Sequence, residues 1–253
     1  MNQRKKSDWG GNIVAFITVI LVNGLANSIP IGGQTTGEVS AKYPSLFTPA
    51  GFTFSIWSLI YLGLLVYVVY QALPAQRSNP ALARISSLFI INCLTNAAWI
   101  FAWHYEHLFL SLLLILGVLA TLVRIYKLLG SEGALTLPGH VWCVHLPFSL
   151  YTGWITVAAI ANISVVQTAM DWNNIALSAV GWTLVKLAIT GTIAAAVGLR
   201  RGDVAFTLVI AWAALGISVK QAATPAVAGA ATTLALMTVM LAGLVIARKL
   251  FKP

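Results

Sequence analysis

The chain has 253 residues, of which 59% are hydrophobic and only 8% charged. A soluble domain carries about a quarter charged residues, so the composition excludes a soluble enzyme and describes an integral membrane protein. The net charge of +9 then reads as the basic excess that membrane proteins keep in their cytoplasmic loops, not as a nucleic-acid footprint.

The opening segment "MNQRKKSDWGGNIVAF" places basic residues before an apolar run, as a signal peptide does. The run continues past a short apolar core, carries Asn23 and Asn27 and meets no small-x-small cleavage site, so a retained first helix is expected. Runs of about 20 apolar residues, the length that crosses the hydrocarbon, fall at 11–29, 50–73, 85–104, 107–129, 141–163, 174–198, 204–219 and 224–247, the seventh being short. Breakers separate them: Pro30, Gly32 and Gly33; Pro74 and Pro80; Gly130, Gly133 and Pro138; Arg200, Arg201, Gly202 and Asp203; Pro225. The expected fold class is an all-α integral membrane protein of eight transmembrane helices.

Charge tests that map. With the N-terminus (1–10) inside, the inner segments hold Arg4, Lys5, Lys6, Arg77, Arg84, Arg124, Lys127, Arg200, Arg201, Arg248, Lys249 and Lys252, and the outer ones hold Lys42 and Lys220. Such alternation places both termini in the cytoplasm. Trp9, Trp103, Tyr105, Trp142 and Trp172 fall near span boundaries, as an interfacial aromatic belt does. Cys93 and Cys143 lie in apolar segments without metal-ligand spacing and read as small buried residues.

Three spans carry a patterned face. Trp57 and Tyr61 are spaced i, i+4 on the second; Asn92, Asn96, Trp99 and Trp103 line the third; Tyr151, Trp154, Ala158 and Asn162 line the fifth. An amide that faces lipid unpaired costs several kcal/mol, so these stripes face protein or a cavity. At about 1.5 Å per residue, Trp57, Trp99 and Trp154 lie roughly 10, 8 and 14 Å below the outer ends of their spans. Asn23 and Asn27 share that leaflet, and the Gly/Pro-rich loop "PIGGQTTGEVSAKYPSLFTPAG" lies above it. The set reads equally as helix-packing glue and as an aromatic ligand pocket under a lid.

These stripes are similar to those of the TspO/translocator-protein family, the tryptophan-rich sensory proteins. The family's proline-rich loop and Trp-x-x-x-Tyr step resemble Pro44, Pro49, Trp57 and Tyr61 in "YPSLFTPAGFTFSIWSLIY"; its Asn-x-x-Trp resembles Asn96 and Trp99; its fifth-helix motif resembles Tyr151, Trp154, Ala158 and Asn162. Ala50 and Gly51 stand where the family has a proline and a tryptophan, Leu150 stands for the proline before the tyrosine, with Pro147 three residues earlier, and only Tyr43 is near the expected Trp-Tyr pair. The resemblance covers 11–163 and implies a five-helix bundle, closed by the first loop, that binds porphyrins such as protoporphyrin IX or haem and acts as a sensor, regulator or carrier. It implies a ligand site at Trp57, Tyr61, Asn96, Trp99, Tyr151, Trp154, Ala158 and Asn162 under a lid at Pro44, Pro49 and Gly51. It implies residence in a bacterial inner membrane. Residues 164–253 add three helices and a basic C-terminus.

Lys186 is twelve residues from either end of its predicted span, where a lysine costs about 2.5–3.5 kcal/mol. It reads as an anion contact, for instance to a porphyrin propionate, as a Schiff-base lysine, or as a residue bonded to backbone carbonyls or snorkelling through a cavity. With the three extra helices it also supports a second reading, a secondary transporter of a small solute, although no inverted repeat relates the halves. "WHYEH" sets His104 and His107 about one turn apart, either as metal or haem ligands or as a solvated outer interface, and the second is expected. His140 and His145 read as interfacial or packed residues. No catalytic constellation is present, no metal site and no certain cofactor are expected, and the anticipated partners are the bilayer and a small hydrophobic ligand. The small-residue run "AATPAVAGAATTLA" suits close packing of the last span, within the chain or in a homodimer.

Overall fold

The computed structural model describes residues 5–29, 31–130 and 138–251; Arg4, Pro30, Glu132, Gly133 and Lys252 lie outside them, as do the side chains of Lys6, Asn27 and Pro138. Every regular element among the described residues is helical. Helix α1 (Lys6–Ser28) is followed by the short α2 (Thr36–Lys42). A 3₁₀ turn (Gly51–Ser55) runs directly into α3 (Ile56–Ala72). Helices α4 (Pro80–His104) and α5 (Leu108–Gly130) follow. A single turn, α6 (Pro138–His140), and a π-helical segment (Val141–His145) lead into α7 (Leu146–Ala169). The chain ends with α8 (Ala179–Arg201), α9 (Val204–Lys220) and α10 (Pro225–Leu250). Among the described residues seven helical stretches are long and apolar enough to cross a membrane; α9, with 17 residues, is shorter. Each predicted span therefore holds one helix, and the protein is an all-α membrane protein.

Local chemistry sets the helix ends. Asn79 accepts from the Ala81 N–H with Pro80 at the first helical position, Ser178 accepts from Gly181, and Asp203 accepts from Phe206. Gly202 closes α8 in the left-handed region (φ 63°), where a side chain would be strained. Pro147 has no N–H to return to the carbonyl four residues before it, and the turn preceding it is the π-helical one.

By contact the chain divides into two compact units: Met1–Val39 with Trp57–Thr152, and Ser40–Ile56 with Gly153–Pro253. The division falls inside α7 and groups the second half of the long loop with the C-terminal helices.

In the first unit α4 packs against both α1 and α5. Helix α5 is apolar over most of its length and buries one stripe, Ser111, Ile115, Val118, Leu122, Ile125 and Leu129, while it exposes Phe109, Leu110, Leu113 and Leu116, as a helix between protein and lipid does. The buried amide Asn12 donates to Tyr67 Oη (3.4 Å) and Gln71 Oε1 (3.3 Å) and accepts from Ser86 Oγ (3.1 Å), tying α1, α3 and α4 together. Tyr67, Phe89 and Phe148 meet edge to face with centroids 4.9–5.9 Å apart.

In the second unit α10 packs on α8 and α9. Small residues allow close approach: a Cβ on Gly198 of α8 would lie 2.8 Å from Leu241 Cδ2 and 3.1 Å from Thr207 Oγ1, and one on Gly153 of α7 would lie 3.1 Å from Val209 of α9.

Candidate functional site

The first unit assembles five residues of the expected site. Trp57 and Tyr61, one turn apart on α3, stack with centroids 5.3 Å apart and planes 19° apart. Tyr151 of α7 meets Trp57 edge-on at 5.9 Å. The Tyr151 hydroxyl accepts from Asn96 Nδ2 (2.9 Å), and Asn96 Oδ1 accepts from Asn23 Nδ2 (3.0 Å). A buried polar chain thus runs α1–α4–α7 and ends on the aromatic group. Asn96, Trp99 and Tyr151 are all buried. Among the described residues the Trp99 Nε1 and the Tyr61 hydroxyl are buried with no hydrogen-bond partner. An orphaned donor away from water costs about 1–3 kcal/mol unless something accepts from it.

Two residues expected on this face do other work. Asn92 turns to α5, donating to Val118 O (3.1 Å) and Thr121 Oγ1 (2.8 Å), so it is packing glue. Trp103, expected in an interfacial belt, is 4% exposed. It stacks on Trp99 at 5.8 Å and donates Nε1 to Thr36 O (3.1 Å). Tyr105, Trp142 and Trp172 are exposed, as a belt requires, and Trp9 lies 4.6 Å under the Arg77 guanidinium.

The second unit contains the remaining expected residues. Trp154 meets Phe54 edge-on at 5.8 Å, Asn162 is buried, and Ala158 is half-buried. The proline-rich loop is anchored on α9. The Ala50 N–H donates to Gly216 O (3.0 Å), Trp212 Nε1 donates to Thr53 O (3.0 Å), and Phe52 meets Trp212 edge-on at 5.4 Å. Pro49 is buried, and Pro44 is exposed. Gly51 has open space where a Cβ would be, so packing does not require glycine there. Gly216 and Trp212 were not singled out by sequence, and the glycine in the apolar helix α9 was the one available signal.

The family model described as TSPO-like protein matches residues 9–245. The chain belongs to that family. The match continues through α8, α9 and α10, past residue 163 where the motif resemblance ends. No curated protein and no solved structure gives a significant match.

In this TSPO-like protein Lys186 is not at mid-helix. The chain from 174 to 178 is outside α8, which starts at Ala179, so Lys186 lies about 10 Å from the helix start and about 22 Å from its end at Arg201. The residue is half-buried, and its Nζ donates to Gln167 Oε1 at 2.6 Å, near the end of α7. This is snorkelling toward the nearer helix end, with a side-chain amide as the acceptor.

His104, expected at a solvated interface, is 2% exposed. Its Nδ1 lies 2.8 Å from Ile100 O and its Nε2 3.5 Å from Thr36 Oγ1, while His107 is exposed and Glu106 accepts from Gln34 Nε2 (3.3 Å). Among the described residues no three His, Cys, Asp or Glu side chains gather as a metal site would need. His140 and His145 pack ring to ring at 5.3 Å across the π-helical segment, and burial pushes the His140 imidazole below its ordinary pKa.

Proposed function

We propose that this TSPO-like membrane protein binds a planar hydrophobic ligand of the porphyrin or haem kind and acts as its sensor, regulator or carrier. The observation that carries this reading is the Trp57–Tyr61–Tyr151 aromatic group, backed by the Asn23–Asn96 amide chain and carrying an orphaned donor in the Tyr61 hydroxyl, with a second orphaned donor, Trp99 Nε1, one turn beyond Asn96 on α4. Stacked rings offer a flat ligand dispersion and quadrupole contacts, and the donors offer its polar edge hydrogen bonds. The family resemblance proposes Trp154, Ala158 and Asn162 on α7 as further ligand contacts and Pro44, Pro49 and Gly51 as lid residues, and all six lie in the second unit. The charge alternation supports cytoplasmic termini, and a bacterial inner membrane is the proposed location. The second reading, a secondary transporter of a small solute, rests on the three extra helices together with Lys186, whose ammonium donates to Gln167 Oε1.

The test is intrinsic tryptophan fluorescence of the purified protein titrated with protoporphyrin IX. Saturable quenching is expected, weakened when Trp57 and Trp99 are both replaced by Ala. Quenching that never saturates, or that is unchanged in the double variant, would sink the proposal.

A further inference from the structure

A second feature, unconnected with the aromatic group, lies where α8 and α10 end. Lys249 Nζ donates to the carbonyl of Gly202 at 2.8 Å. A Cβ on Gly202 would lie only 3.2 Å from Lys249 Cε and 3.7 Å from Val245 Cγ1. Two chain segments 47 residues apart are thereby held together, each bearing two consecutive cations, Arg200 and Arg201 on one and Arg248 and Lys249 on the other. The acid beside them, Asp203, caps α9 by accepting from the Phe206 N–H. Lys249 directs its charge at the end of α8, where the helix dipole is negative, and Arg200 and Arg248 are exposed. Apolar side chains on the same two helix ends are strongly exposed as well: Leu199 52%, Leu250 73% and Phe251 83%.

A topology signal needs only basic residues on one side of the membrane. Here two helix ends, each bearing two cations, are fastened together through Lys249 and the Gly202 carbonyl beside exposed apolar surface. That combination matches one amphiphile, an anionic phospholipid, whose phosphate would accept from the guanidinium groups while its acyl chains cover the leucines and the phenylalanine. We infer that the joined ends of α8 and α10 form a binding site for an anionic phospholipid headgroup, with Arg200 and Arg248 as the phosphate contacts and Lys249 as the residue that holds the two ends in place.

The experiment is native mass spectrometry of the purified full chain, released from detergent after mixing with phosphatidylglycerol or phosphatidylcholine of identical acyl chains. Preferential retention of phosphatidylglycerol is expected. At about 1 kcal/mol for each basic residue near an anionic surface, the paired change Arg200→Gln and Arg248→Gln lowers that preference about tenfold or more. The charge-keeping pair Arg200→Lys and Arg248→Lys retains most of it. Arg124→Gln with Lys127→Gln, at the end of α5, leaves it unchanged. The thermal midpoint of each variant in phosphatidylcholine checks that it is folded. Glycerol 1-phosphate at the same concentration is expected not to compete, which separates a lipid from a free phosphate ester. Equal retention of the two lipids, a preference that survives Arg200→Gln with Arg248→Gln, an equal loss in the α5 variant, or full competition by glycerol 1-phosphate would each overturn the assignment.

Discussion

Trp212 donates its indole Nε1 to the backbone carbonyl of Thr53 at 3.0 Å, joining residues 159 apart in the chain. The proline-rich loop, which in the sequence departs from the TspO pattern at Ala50 and Gly51, is thus held from α9, a helix beyond the region of motif resemblance. Gly216 makes the approach feasible, because a Cβ there would press on Thr53 Oγ1 and stand 2.8 Å from its Cγ2 and 3.1 Å from Pro49 Cβ.

The first prediction concerns that contact. Gly216→Ala forces the loop off α9 at a cost of about 1–3 kcal/mol, the range for overpacking a tight interface. Trp212→Phe keeps the edge contact with Phe52 and loses the donor, costing about 1 kcal/mol. Thermal unfolding in detergent and limited proteolysis of residues 43–55 report both. A Gly216→Ala protein as stable and as protease-resistant as the parent would show that the loop is held by something else.

The second concerns the Asn23–Asn96–Tyr151 chain. Side-chain hydrogen bonds between membrane helices average about 0.6 kcal/mol and reach about 1.7 kcal/mol. Tyr151→Phe removes one bond at the end of the chain and falls in that range. Asn96→Leu removes two, while Asn23 Nδ2 keeps its bond to Val19 O (2.9 Å), so it costs more than Tyr151→Phe by about one such bond. A double-mutant cycle between positions 96 and 151 is expected to give a coupling of at least about 0.5 kcal/mol. Additive effects would mean that the chain does not act as one unit.

The spans were legible in the sequence because their signals are local: apolar length, breakers and alternating charge. Within the stripes, spacing identified the buried face but not the partner across it. Asn92 and Asn96 share a face of α4, yet one bonds α5 and the other bonds α1 and α7. Trp103 and His104 sit at a span boundary, where composition reads as interface, and Thr36 at the start of α2, whose carbonyl receives the Trp103 donor, lies 67 residues away. The loop's anchorage on α9 was invisible for the same reason. Lys186 was misplaced by a boundary, since the five residues 174–178 lie outside α8.

The third prediction follows from that placement. Lys186→Met removes a half-buried ammonium whose acceptor is Gln167 Oε1 at 2.6 Å. The lost bond costs about 0.6 kcal/mol, and relief from holding a charge near the bilayer offsets it. Stability close to the parent is expected, with an unchanged protoporphyrin titration. A titration weakened tenfold would restore Lys186 as an anion contact.

The fourth is a pH dependence in the long loop. Thr35 and Glu38 form a capping box at the start of α2. The Glu38 carboxylate accepts from the Thr35 N–H (2.6 Å) and hydroxyl (2.9 Å), and the Glu38 N–H donates to Thr35 Oγ1 (3.3 Å). Bonds to the charged form hold the carboxyl below its ordinary pKa, the backbone N–H contributing most. A lowered folded pKa means that the folded state binds the proton more weakly than the unfolded chain does. The support for α2 is therefore complete above the unfolded value of about 4.3 and is lost as pH falls through the lower folded value. A carboxyl-carbon NMR titration should find the Glu38 midpoint below that of an ordinary glutamate. Thr35→Val removes the hydroxyl and leaves the N–H, so the midpoint should move part of the way back. A midpoint at or above the ordinary value, or one unmoved by Thr35→Val, would mean that the box does not form in the membrane-embedded protein.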